Sequence, residues 1–174
     1  MKVEDKYTAP SWEKISRLPL MVAIGMEGAG RSGLAGSAQE RRATVLSILS
    51  GRDSFPGNPL ISTIVPSSEG TMAEMDMMRR HDAAMDFLAA SGIRTSAALW
   101  NHIEACAGEV MQLLRKHEAG HTSADYAKWL LRIASDVSVA AKEGDFLGIG
   151  GARVSKEEKS CYQRLEEALI SAEE

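Results

Sequence analysis

Two stretches of this sequence carry the same helical punctuation, and that repetition constrains the fold more than any other feature. Val139 to Leu169 reads VAAKEGDFLGIGGARVSKEEKSCYQRLEEAL: an apolar helix closes on Lys142-Glu143-Gly144, a glycine-rich turn follows, and Ser155-Lys-Glu-Glu158 opens another helix. Val22 to Leu49 reads VAIGMEGAGRSGLAGSAQERRATVLSIL, closing on Met26-Glu27-Gly28 and reopening at Ser37-Ala-Gln-Glu40. Glycine ends helices because it enters the left-handed region without a Cβ penalty. A serine followed three residues later by glutamate starts one, because each side chain satisfies an orphan amide of the first turn. The expectation is one helical bend used twice, with a pseudo-twofold relation between the halves.

The remaining chain supplies further helices and no strands. Ser11 is placed to cap a first helix running to about Glu27, with Pro19 expected to bend or divide it, since proline lacks the amide donor and crowds the preceding turn. The helix opened by Ser37 should end at Ser50, with Gly51 in the left-handed position beyond it. Arg52 to Gly57 reads as loop. Asn58-Pro59 is a strong start signal for a short helix to about Val65, stopped by Pro66. A longer helix is expected from about Ser68 to Ser91, closed by Gly92. Another follows, capped by Thr95 or Ser96, reaching Glu118 and meeting Gly120. In it Leu99, Ile103, Cys106, Val110 and Leu113 have the three–four spacing of a buried face, widened by Trp100, Ala107, Met111 and Leu114. Thr122 with Asp125 is expected to open a fifth long helix, with Ala127, Leu130, Leu131, Ala134, Val137 and Ala141 as its stripe and Gly144 at its end. Ser155 and Glu158 open the last, packed through Cys161, Leu165 and Leu169. Nothing alternates with period two between turn signals. The expected fold is all-α: a single domain over 1–174, a compact bundle of five or six main helices and a short one.

With 174 residues the chain can bury about two-thirds of its unfolded surface as one domain. Hydrophobic residues at 44% and charged residues at 25% are globular proportions that argue against disorder. A net charge of −4 without a Lys/Arg run gives no footing for nucleic acid. The N-terminus lacks the apolar run of a signal peptide, and Leu18 to Met26 is far too short to span a membrane, so a cytoplasmic protein is expected. Cys106 and Cys161 fall on apolar helical rows and read as buried reduced thiols, with no CxxC and too few cysteines for a metal or disulfide framework.

On its two Glu-Gly turns and two Ser-x-x-Glu starts the sequence resembles the tellurite-resistance TerB-like family, whose halves each close a helix on Ala-Asp-Gly and open the next with Ser/Thr-x-x-Glu. This chain has glutamate where aspartate is usual, and longer, glycine-richer loops. The resemblance implies a compact cytoplasmic helical protein of stress or metal-response systems, non-enzymatic, acting through protein partners. From the residues themselves, Glu27, Glu40, Glu143, Asp145 and Glu158, with loop carbonyls, are candidate oxygen ligands for a divalent cation, calcium or magnesium. Glu40 and Glu158 also have a sufficient structural role as capping partners.

Other chemistry is weaker. Gly28-Ala-Gly30-Arg-Ser-Gly33 spells GxGxxG, but the helix signal lies beyond it and no strands exist to build the nucleotide-binding sheet. Met72, Met75, Met77, Met78 and Met85 put five of nine methionines on one helix, a pliable core face or an adaptable cleft. A small-ligand or cofactor-binding protein, enzymatic or not, using that cleft or Gly28–Gly33, is therefore the alternative function. His81 shares a row with Met77, Ala84 and Leu88 and is expected as a satisfied histidine in or beside the core. Glu118-x-x-His121 imitates half of a di-iron motif without its other glutamates. No nucleophile or acid–base pair with an orienting partner is recognisable.

Overall fold

The structure is a computed structural model that describes residues 2–29, 34, 38–143 and 155–171, with no side-chain description for Gln39, Ala141, Lys142 and Glu143. The described residues are all-α, without a strand. After a 3-10 turn at Glu4–Lys6 come α1 (Ala9–Glu27), α2 (Ala38–Leu49), α3 (Gly51–Ser54), α4 (Pro59–Ile64), α5 (Gly70–Ala90), α6 (Ser96–His117), α7 (Gly120–Glu143) and α8 (Lys156–Ile170).

Helix α1 is the axis of the bundle. Every residue from Leu18 to Glu27 is buried, which requires neighbours on all sides. Helices α2, α5, α6 and α7 supply them. The helix begins one turn earlier than its sequence suggests, because Thr8 rather than Ser11 is the cap and accepts from the Ser11 amide. Pro19 does not divide it. A proline at 19 leaves the Ile15 carbonyl without its usual amide, and the buried Tyr126 hydroxyl of α7 fills that vacancy at 2.6 Å. At the far end the Gly25 carbonyl accepts from the Trp100 indole Nε1 at 3.1 Å. Gly25 also lets α6 come close, since a Cβ there would stand 2.8 Å from Ile103 Cδ1.

Several helix ends agree with their local signals. Asn58 caps α4, accepting from the Leu60 and Ile61 amides while its Nδ2 donates to the Thr122 carbonyl. Thr95 caps α6. Gly92 follows α5 at φ 74°, and Ser155 with Glu158 forms a complete capping box on α8. Two glycines have roles other than the expected ones. Gly51 does not take the left-handed conformation; it begins α3, which takes up Arg52 to Ser54 of the stretch expected as loop and leaves Phe55 to Gly57 as turn, and it is glycine because it lies against Trp129. Gly120 does not end a helix but begins α7, leaving Thr122 in that helix's first turn. Ser37, the expected cap of α2, and Gly144 lie outside the described residues.

The two corners share their helix order, yet their second helices pack differently. Helix α2 lies along α7 and α5, whereas α8 lies mainly along α6 and then α7. The core joins all six long helices around Trp100, Trp129, Tyr126, Met21 and Ile24. No helix among the described residues is long and apolar enough to cross a membrane.

Candidate functional site

The end of α1 holds a polar group unusual among the described residues. Glu27 is its last residue, and its side chain is only 1% exposed. A carboxylate there meets two costs: loss of water, and the negative end of the helix dipole. No basic residue occupies the last turn of α1 to offset them.

Among the described residues, two helices provide the partners of Glu27. Thr44 of α2 is fully buried and donates its hydroxyl to Glu27 Oε1. His81 of α5 is 2% exposed, on the buried row Ala73, Met77, His81, Ala84 and Leu88. Its Nε2 stands 3.7 Å from Glu27 Oε1, too far for a hydrogen bond. Neither ring nitrogen of His81, nor Glu27 Oε2, has a hydrogen-bond partner among the described residues. The histidine expected to be satisfied is therefore buried but unsatisfied. Next along α5, Asp82 places Oδ1 3.5 Å from His81 Nδ1, and Arg41 of α2 reaches the same oxygen at 3.8 Å.

The sequence-derived ligand set is distributed unevenly over this picture. Glu40 is buried and lies one turn before Thr44, on the α2 face that meets Glu27. Glu158 belongs to the other corner, where its Oε2 accepts from the Ser155 amide at 2.7 Å while its own amide donates to Ser155 Oγ at 3.1 Å. The capping role thus occupies one of its oxygens. The side chain of Glu143, and all of Asp145, lie outside the described residues, as do Gly30 and Gly33 of the glycine loop. Among the described residues no group of three or more His, Cys, Asp and Glu side chains is arranged to hold a metal ion. Glu27 and His81 make a pair.

The other candidates resolve into structure. Glu118 accepts from Tyr7 at 2.7 Å and Lys6 at 2.9 Å, so its carboxylate ties the N-terminal turn to the end of α6. Burial, followed by this hydrogen bond and the charge of Glu118, pushes the Tyr7 phenol well above its ordinary value. His117 packs edge-on against Tyr7, and His121 is exposed, which removes the resemblance to a di-iron motif. The methionines of α5 do not share one face: Met77 is buried, whereas Met72 is 66% and Met75 55% exposed. Both cysteines are free and buried, as their rows predict.

The Glu27–His81 contact is invisible in sequence because three helices, α2 to α4, separate its halves along the chain. The only local signal is a histidine on an otherwise apolar row. No protein-family model, no curated protein and no solved structure matches this chain.

Proposed function

We propose that this chain is a non-enzymatic cytoplasmic helical module of the TerB-like kind, acting through protein contacts in a stress or metal response, and binding a divalent cation weakly where α1 meets α2. The observation that supports the cation clause is Glu27: a buried carboxylate at the negative end of a helix, with one oxygen unpartnered among the described residues. Such a group is costly unless a positive charge accompanies it. Of the acids chosen from sequence, Glu27 carries this reading, while Glu158 serves as a cap. The partner clause rests on the family resemblance. Of the two places offered for the small-ligand alternative, the methionines of α5 do not line one cleft, and the glycine loop from residue 30 to 33 lies outside the described residues.

The experiment is isothermal titration of the full chain with calcium, magnesium, manganese and zinc, paired with thermal melts. Heat and a raised melting temperature at millimolar ion are expected, both lost in Glu27→Gln. A silent titration with all four ions would end the cation clause.

A further inference from the structure

Resting on that cation reading, we infer that His81 is the second side-chain ligand, and that the ion taken is a first-row transition-metal dication rather than calcium or magnesium. The argument begins with two buried groups that face one another and leave binding capacity unused. His81 Nε2 and Glu27 Oε1 are 3.7 Å apart, with no hydrogen bond between them. Two bonds of about 2.1 Å to a common ion span up to ~4.2 Å, so the separation of 3.7 Å is within the reach of one bridging metal. Thr44, donating to Oε1, orients the carboxylate from the side of α2.

The far side of the imidazole has a matching feature. A metal-bound histidine normally presents its other ring nitrogen to a carboxylate that sets its tautomer. Here Asp82 Oδ1 lies 3.5 Å from Nδ1, on the side of the ring away from Glu27 and just beyond hydrogen-bond length. Arg41 holds Asp82 in turn. Glu27, His81 and Asp82 thus stand in the order metal carboxylate, metal imidazole, orienting carboxylate.

Ligand chemistry then chooses the ion. Calcium and magnesium take oxygen shells, whereas imidazole beside carboxylate suits manganese, iron, cobalt and zinc. Two protein side chains leave the rest of the shell to water or backbone oxygen, which makes the site weak and exchangeable.

Manganese(II) and magnesium are titrated separately into the full chain, and electron spin-echo modulation is recorded on the manganese form. Manganese is expected to bind at least about tenfold more tightly than magnesium, with nitrogen modulation from one imidazole. His81→Gln should remove that modulation and weaken manganese about tenfold, leaving magnesium unchanged. Asp82→Asn, at an exposed position that leaves the core intact, should weaken manganese several-fold. Should His81→Gln not fold, sub-stoichiometric manganese added to the wild-type chain should still broaden the His81 ring resonances before those of His102, His117 and His121. Magnesium binding that Glu27→Gln abolishes, without manganese preference or nitrogen modulation, overturns this inference and leaves the cation reading standing. Nitrogen modulation that persists in His81→Gln overturns it too. Failure of both ions to bind ends both, and leaves His81 a buried neighbour of Glu27.

Discussion

The hydroxyl of Tyr126 donates to the Ile15 carbonyl at 2.6 Å, in the position that the missing amide of Pro19 leaves open. One helix therefore repairs a defect in another, and α1 continues through its proline to Glu27. Tyr126→Phe should cost about 2 kcal/mol by urea unfolding, the penalty of a buried carbonyl left unpaired. In a Pro19→Ala background, residue 19 recovers an amide that reaches Ile15, and the same substitution should cost clearly less. Equal costs in the two backgrounds would show that the two features are independent.

Alkaline conditions should unfold the protein through the same residue. Burial raises the Tyr126 phenol well above its ordinary value, and Tyr7 shifts the same way. Above about pH 10 the unfolded chain releases these protons while the folded chain retains them. The associated stabilisation is complete below that pH and is lost as pH climbs. Urea midpoints measured between pH 8 and 11 should fall above about pH 10, and less steeply in Tyr126→Phe; a flat profile would contradict the assignment.

Three glycine-to-alanine variants should differ in magnitude and sign. A Cβ on Gly51 would overlap Trp129 at Nε1, against a fully buried ring, and this variant should lose about 1–3 kcal/mol. Gly25→Ala should lose less, because its nearest neighbour is the terminal methyl of Ile103 at 2.8 Å. Gly108 lies inside α6, and a methyl group added there would meet nothing within 4 Å. Gly108→Ala should therefore gain up to about 1 kcal/mol from helix propensity. Chemical denaturation of the three in parallel checks the order.

The thiols of Cys106 and Cys161 are each pushed up to about 11, chiefly by burial. At pH 8 both should resist iodoacetamide in the folded protein and react rapidly in urea, since the thiolate is the nucleophile. Mass spectrometry of the timed reaction reads this out. Rapid native alkylation of either would contradict its burial.

Asn58→Ala should cost about 2 kcal/mol, combining a lost helix cap with a lost bond to Thr122. Asn58→Asp should recover only part of this, because a carboxylate still caps α4 but cannot donate to the Thr122 carbonyl. Urea unfolding of both variants separates the two contributions.

What the sequence determined by itself was whatever a few neighbouring residues decide. Asn58 before Pro59, Thr95, the Ser155–Glu158 pair and Gly92 mark helix ends in the chain and mark them in the structure, because caps and left-handed turns are satisfied within one turn of backbone. The helical periodicity that made the fold all-α is local in the same sense. Tertiary structure alone decided the roles of Gly51, Pro19 and His81. Trp129 approaches Gly51, Tyr126 answers the gap at Pro19, and Glu27 stands opposite His81, each across a sequence distance that no local pattern encodes. Close packing and buried polar pairing depend on which helix faces become neighbours, and that is settled only when the whole core forms.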